Sequence, residues 1–395
     1  MTKRRILILE QQSFRGGAQR VLEVVLDGLR DRIDPIVALP ESGPFEQDLR
    51  RRGIETLTFP LGRYRSGRKS LANILSFAPR SLYSTVRIAR TIVRRQVELV
   101  YINGPRWVLA GALAARITGR PSLFCLHNTL SRRLDVALAA RASGLVSRIV
   151  ACSGAAAVPL LRENPALRPR TDVLYPPSPE LPAEFLRDRE RAGRFVIGMV
   201  GRITEAKGHH VLLEALAKLG PSSGMRLLIV GAPGPGSEQD AQYLRSLHAS
   251  ATQAGLNGLI DWVGYQADPD PYYASIDALA APSTIDEGMP VVVLEAFRRG
   301  IPVIASRSGG IPELVENGAN GMLVAPGDPA ALAEALSTLR DSPALGKRLG
   351  AAARASLDAR FSPAFYCSTL DQIICGLCSP DAAPESAPAL EKIGS

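Results

Sequence analysis

The chain has 395 residues, a formal net charge of +9, 46% hydrophobic residues and only 5% aromatic ones. That length points to about two or three domains with enough apolar mass to fold without a disulfide framework or a structural metal. No apolar run approaches the roughly 20 residues of a spanning helix. The apolar segment Ile6-Leu-Ile-Leu9, which ends at Glu10, is too short for a signal peptide. The expectation is a cytoplasmic protein, soluble or peripheral on the inner face of the membrane.

In chain order, Arg4 to Leu9 reads as a strand buried on both faces. Gly16-Gly17 then opens a helix through Leu22, Val25, Leu26 and Leu29. A glycine pair at a strand-to-helix turn either lets the backbone approach a ligand or simply makes a tight turn. It is not a dinucleotide fingerprint, whose third glycine is missing. A strand at Pro35–Leu39, a helix at Phe45–Arg52 and a strand at Thr56–Phe59 continue an alternation that implies βαβ units and a parallel sheet. The charge is uneven. Between Arg50 and Arg95 only Glu55 opposes a run of arginines that includes Arg63, Arg65 and Arg68, with Lys69 beside them. From Pro79 to Arg95 a helix is expected, with Leu82, Val86, Ala89 and Val93 on one side and Arg80, Arg87, Arg90 and Arg94 on another. Such a helix either touches an anionic membrane surface or is the solvated face of a core-packed element. Sparse aromatics argue against nucleic acid.

The strand Val97–Ile102 ends in Asn103-Gly104-Pro105, and the strand Ser122–Leu126 delivers His127 to its carboxyl end. With four histidines in the chain, His127 is a candidate functional group, with a capping or core role as the alternative. Ser153 follows the strand Ile149–Cys152 as a helix N-cap, an acceptor contact being the second reading. The proline-dense stretch from Tyr175 to Pro182 and the charged run Arg187–Arg191 mark an inter-domain linker.

The second half restarts with the strand Phe195–Val200 and the loop Gly201-Arg202-Ile-Thr-Glu-Ala-Lys207-Gly208. Arg202 as a fork and Lys207 as a point charge suit a diphosphate, although surface charges on a loop are common. Gly231–Gly236 reads as a loop, and Gly258–Val263 as a strand turning at Gly264-Tyr265. The apolar run Ala278–Pro282 reads as a buried strand leading to Ser283-Thr-Ile-Asp-Glu287-Gly-Met-Pro290, where the pattern becomes helical with Pro290 at the first position. Glu287 then lies in the loop and Glu295 about two turns into the helix. The strand Ile301–Ser306, the loop Ser308-Gly-Gly-Ile-Pro-Glu313 and helices near 329–339, 344–357 and 363–377 complete the chain before an Ala/Pro/Glu/Ser-rich tail. Cys375 and Cys378 have metal or redox spacing, but no second ligand pair accompanies them, so free thiols are expected.

Glu287 and Glu295, with seven residues between them, resemble the E-x7-E signature of retaining glycosyltransferases with the GT-B fold, most closely glycosyltransferase family 4. Gly16-Gly17-Ala-Gln-Arg-Val-Leu22, Gly201-Arg202-x4-Lys207-Gly208 and Ser308-Gly-Gly-Ile-Pro312 resemble the same family, in the same order. The resemblance implies an α/β protein of two Rossmann-like parallel-sheet domains facing a central cleft. An acceptor-side domain would span 1–176, a linker 177–194 and a donor domain 195–361. A helix at 362–378 would pack back on the first domain, ahead of a disordered tail at 379–395. The family's usual Pro-Asn-Gly at the hinge is replaced here by Tyr175-Pro-Pro-Ser.

The resemblance also implies hexose transfer, with retention, from a nucleotide diphosphate sugar carrying UDP or GDP. Glu287, His127, Arg202 and Lys207 would carry catalysis. Gly16, Gly17, Arg202 and Lys207 would meet the diphosphate, Gly264 the base, Glu287 the sugar hydroxyls and Glu295 the ribose, with Gly288, Met289 and Pro290 also binding the donor. His127, Ser153 and Asn103 would face the acceptor, which is expected to be lipid-linked or a saccharide of cell-surface polysaccharide or glycolipid synthesis. No metal and no cofactor are expected, because the two cations supply the charge. A GT-B epimerase or an inverting transferase is the alternative; a two-domain NAD-dependent dehydrogenase lacks its fingerprint here.

Overall fold

The computed structural model describes residues 3–59, 77–178, 193–357 and 359–379. The predicted basic loop from Gly62 to Ser70, the linker residues 179–192 and the tail from 380 onward lie outside the described residues. The described residues up to Pro177, joined by those from Pro363 onward, form one compact unit; Ser178 to Ser362 form a second.

The first unit is built on seven strands: β1 Arg4–Glu10, β2 Ile33–Leu39, β3 Glu55–Thr58, β4 Leu99–Asn103, β5 Ser122–Leu126, β6 Arg148–Ala151 and β7 Thr171–Val173. They pair in the order β3-β2-β1-β4-β5-β6-β7, all parallel. Ile6, Leu7, Ile8 and Leu9 are at most 1% exposed, as a strand covered by helices on both faces requires. Chain order runs outward in both directions from the β1/β4 junction. That reversal opens a crevice beyond the carboxyl ends of the strands, where open α/β sheets bind ligands. Helix Pro363–Cys378 packs against helix Gly17–Gly28. A Cβ on Gly28 would fall 2.4 Å from Cys367 Sγ, so the close approach needs glycine there. All five cysteines are free.

One helix turns a mixed polar and apolar face inward. Phe77–Arg94 is helical, but it buries Ser84, Thr85, Ile88 and Ile92. Leu82, Tyr83, Val86 and Val93 are exposed. The partner helix, Val108–Ile117, presents Ala110, Gly111, Ala112, Ala114 and Ala115 to the core. Small residues let the two backbones come close, and the Thr85 hydroxyl donates to the Ser81 carbonyl at 2.8 Å, so a polar residue can face inward at little cost.

The second unit repeats the plan with six strands: β8 Phe195–Val200, β9 Met225–Val230, β10 Ile260–Gly264, β11 Ala278–Ala281, β12 Val303–Ser306 and β13 Met322–Val324. Their order is β10-β9-β8-β11-β12-β13, again all parallel. Its core gathers Ile197, Leu227, Ala278 and Ile304 from the strands with Leu212, Leu332 and Leu336 from the helices. Here the reversal lies between β8 and β11, flanked by the loops 201–208 and 282–290. No helix among the described residues is long and apolar enough to cross a membrane.

Candidate active site

In the second unit three loops are laced together beyond the strand ends. Thr284 donates its backbone N–H to the Ala206 carbonyl at 2.9 Å and its hydroxyl to the Glu205 carbonyl at 3.2 Å. On the other side, Gly310 N–H donates to the Glu287 carbonyl at 2.9 Å and Gly309 N–H to Asp286 Oδ1 at 3.1 Å. The Ser308 hydroxyl donates to the Ile285 carbonyl at 2.5 Å. The loop carrying Glu287 is therefore fixed from both sides before any ligand arrives.

Within this frame Lys207 Nζ pairs with Glu287 Oε1 at 2.6 Å, and the Ser283 hydroxyl donates to the same oxygen at 2.6 Å. The Glu287 side chain is 16% exposed and that of Lys207 30%. Burial alone would push the Glu287 carboxyl up. The Lys207 charge, hydrogen bonds from Lys207 and Ser283, and the Arg202 charge more than offset it and hold the carboxyl below its ordinary value. Glu287 is thus an anion at neutral pH, suited to accept hydrogen bonds from hydroxyls. Arg202 is exposed on its loop, with its stem against Gly234. The two cations expected for a diphosphate therefore differ: Lys207 is held by Glu287, and Arg202 extends to solvent.

Pro290 is the residue before the helix Val291–Arg298, one position earlier than its pattern suggests, with an extended backbone at φ −74° and ψ 112°. Met289 and Pro290 are buried, as is Gly288. Glu295 is only 2% exposed, and the Tyr273 hydroxyl donates to its Oε2 at 2.5 Å. Arg299 locks this corner: it donates to the Glu295 carbonyl at 2.8 Å, pairs with Asp270 at 2.6 Å and stacks 4.6 Å from the Tyr273 ring. Tyr273 and Ser283 escaped the sequence reading. Ser283 carries a signal, its position four residues before Glu287; Tyr273 carries none, because its pairing depends on the tertiary fold. Gly264 ends β10 at φ +81°.

In the first unit the β1/β4 junction assembles a second polar group. Glu10 and Asn103 are register partners at the ends of their strands. Glu10 is fully buried. Its Oε1 accepts from Gln19 Nε2 at 2.8 Å and from the Gln12 backbone at 2.9 Å, and its Oε2 accepts from Asn103 Nδ2 at 2.5 Å. Burial pushes this carboxyl up to about 7, with the hydrogen bonds from Asn103, Gln19 and the backbone pulling the other way. Asn103 Oδ1 in turn lies 2.6 Å from His127 Nε2. Burial lowers the His127 imidazole to about 4, so the ring is neutral at physiological pH. Gln19 also accepts the Gly16 N–H at 3.0 Å, which ties the glycine turn into the same group. Ser153 caps the helix Gly154–Glu163, its hydroxyl accepting from Ala156 N–H at 3.1 Å. The fold thus brings Gly16, Asn103 and His127 together, with Gly17 opening the helix beside them and Ser153 on the neighbouring strand end. Glu10 and Gln19 were missed, although a carboxylate closing an otherwise apolar strand is a visible signal. Among the described residues no three His, Cys, Asp or Glu side chains gather as a metal-ligating group.

Comparison with known proteins meets this geometry. Residues 15–177 match the family described as Glycosyltransferase Family 4, and residues 183–356 match Glycosyl transferases group 1. A lipopolysaccharide core biosynthesis glycosyltransferase, LpsE of Rhizobium meliloti, is 33% identical over 167 residues, 42% of this chain and 46% of that protein. The D-inositol 3-phosphate glycosyltransferase of Streptomyces avermitilis is 30% identical over 271 residues, 62% of this chain and 58% of that protein. The chain thus spans about half the length of these curated relatives. The structure of Anabaena Alr3699/HepE in complex with UDP-glucose superposes with a TM-score of 0.80 at 26% identity, covering 94% of this chain and 99% of that one. Two parallel-sheet units, a family match to each and a GT-B neighbour spanned over nearly its whole length converge: the chain belongs to glycosyltransferase family 4 and has the GT-B fold.

Proposed function

We propose that this enzyme transfers a hexose from a UDP-sugar, UDP-glucose first among them, to a lipid-linked or saccharide acceptor with retention at the anomeric carbon. The observation that carries the reading is the Lys207–Glu287 pair beside Arg202 at the ends of β8 and β11. In the transfer, the bond from the anomeric carbon to the diphosphate oxygen breaks and a bond to the acceptor hydroxyl forms. The acceptor proton passes to the departing diphosphate. Negative charge grows on that leaving group, and Lys207 and Arg202 stabilise it electrostatically. This is the work a divalent ion would otherwise do, so transfer proceeds without metal. Glu287 accepts sugar hydroxyls and Glu295 the ribose hydroxyls. Retention follows from front-face attack, in which the acceptor enters on the side from which the diphosphate leaves. His127, Asn103 and Ser153 serve the acceptor side. The UDP reading is supported by the HepE complexes, and the acceptor class by the lipopolysaccharide relative.

A thermal-shift panel of UDP-, GDP- and ADP-sugars with NAD and NADP, run in chelator, tests this. A donor at about a hundred times its dissociation constant stabilises the fold by roughly 2.7 kcal/mol. UDP-glucose is expected to shift the wild type, and Glu295→Ala to lose most of that shift. A response to NAD alone would overturn the reading. Analysis of the product's anomeric configuration separates a retaining transferase from an inverting one or an epimerase.

The acceptor reading extends to a membrane surface. Helix Phe77–Arg94 exposes Leu82, Tyr83, Val86 and Val93 among Arg80, Arg90 and Arg94. Exposed apolar and basic side chains on one face suit insertion at an anionic interface. Replacing Arg80, Arg90 and Arg94 by alanine removes about 1 kcal/mol each near such a surface, so vesicle partitioning is expected to fall about 100-fold. Co-sedimentation that ignores anionic lipid content in the wild type would refute the membrane contact.

A further inference from the structure

We propose that Glu10 is a positioning residue whose carboxylate, acting through Asn103, fixes which nitrogen of His127 carries the proton. A carboxylate buried at the end of β1, whose partners Gln12, Gln19 and Asn103 are all neutral, is costly and calls for a reason. The geometry supplies one. A carboxylate only accepts, so its Oε2 compels Asn103 to present its amide nitrogen and to turn its carbonyl oxygen toward His127. That oxygen also only accepts, so the proton of the neutral imidazole must sit on Nε2, 2.6 Å away. Nδ1 is then the ring's lone-pair nitrogen. The tautomer of His127 is dictated from two hydrogen bonds away, through Asn103.

Glu10→Gln tests this because its outcome is constrained. The Gln12 backbone N–H cannot turn over, and it donates to Oε1 alongside Gln19. In the variant the amide oxygen must therefore occupy the Oε1 position, and the amide nitrogen faces Asn103. Asn103 must then rotate, offering its own nitrogen to His127, and the ring proton moves to Nδ1. Long-range 15N–1H correlation spectra of protein labelled at its four histidines read the tautomer directly, with His127→Gln assigning the signal. Spectra are taken at about pH 8.5, where an acid titrating near 7 is ionised. The expected result is the Nε2–H pattern in the wild type and the Nδ1–H pattern in Glu10→Gln. An Nδ1–H or averaged signal in the wild type overturns the proposal even where the variant fails to fold, and so does an unchanged signal in a folded variant.

The kinetic consequence rests on the reading of His127 as a group beside the transferred sugar. Under that reading Glu10→Gln lowers kcat by about 10- to 100-fold with the donor KM unchanged, as when an orienting partner behind a metal-bound imidazole is removed. A tautomer that switches without a change in kcat would keep Glu10 as the positioning group and refute the role of His127 instead.

Discussion

Replacing Lys207 with methionine is expected to lower kcat/KM for a UDP-hexose by about a thousandfold, close to 4 kcal/mol of transition-state stabilisation. Methionine keeps the length of the four-atom stem and removes the ammonium with its charge and donors. Two losses combine. The departing diphosphate loses a cation that sits on the loop beyond β8. Glu287 also loses the partner 2.6 Å from its carboxylate, while the Ser283 hydroxyl still donates to the same oxygen. Without the Lys207 charge and hydrogen bond, burial weighs more heavily against the ionised carboxyl, so Glu287 becomes a poorer acceptor for sugar hydroxyls. Stability carries the same signature. A carboxyl held below its ordinary value stabilises the fold above the unfolded pKa, and that contribution is lost as pH falls through the folded one. The variant is therefore expected to lose stability at neutral pH and to show a weaker dependence on pH in the acid limb. Because Lys207 is 30% exposed, solvent screening limits the stability loss to about 1–2 kcal/mol, well short of the kinetic effect. Steady-state kinetics with urea unfolding at two pH values decides the matter. A kcat/KM within about threefold of the wild type would remove Lys207 from the diphosphate site and return the pair to a purely structural role.

The parts of this site that were legible in the sequence are those written in contiguous residues. Gly201 to Gly208 and Ser283 to Glu295 each carry their own geometry, a strand end, a glycine-bounded loop and a helix start, and alternating elements place such loops at the same edge of a parallel sheet. What was not legible depends on which strands become neighbours. Glu10 meets Asn103 across 93 residues, and Asn103 meets His127 across 24, only because β1, β4 and β5 lie side by side. Asn103 and His127 stood out singly; their connection through Glu10 requires the strand order. Tyr273 reaches Glu295 from the short helix Asp270–Tyr273, and nothing local to either residue announces it. The buried face of helix Phe77–Arg94 was not legible because its apolar residues form more than one stripe. An alanine-rich neighbour that accepts Ser84 and Thr85 decided which one is buried. The strand β13, three residues long at a sheet edge, is too short to show any period.

Gly208→Ala is expected to cost about 3–5 kcal/mol of stability and to reduce donor turnover about 100-fold, although the change adds one methyl group. Two effects must be separated. Gly208 lies in the left-handed region, φ +76° and ψ 27°, where an L-residue pays about 1–2 kcal/mol. Gly224 lies in the same region, φ +73° and ψ 11°, with nothing within 4 Å of its would-be Cβ, so Gly224→Ala reports the backbone cost alone. At Gly208 the added carbon would fall 1.9 Å from the Pro282 carbonyl oxygen, a backbone atom that no rotamer can move aside. Relief requires the loop 201–208 to part from the loop 282–290 by about an ångström, a displacement that alone costs about 100-fold when it misplaces a reacting group. That parting strains the Thr284–Ala206 hydrogen bond and pulls Lys207 from Glu287. Side-by-side urea unfolding and kinetics with a UDP-hexose read both effects. If Gly208→Ala matched Gly224→Ala in unfolding midpoint and kept its donor kinetics, the close approach of these loops would not be what assembles the pair. If it falls further on both counts, the seam between the two loops is where fold and chemistry are joined, and Gly208 serves through its missing carbon rather than through anything it donates.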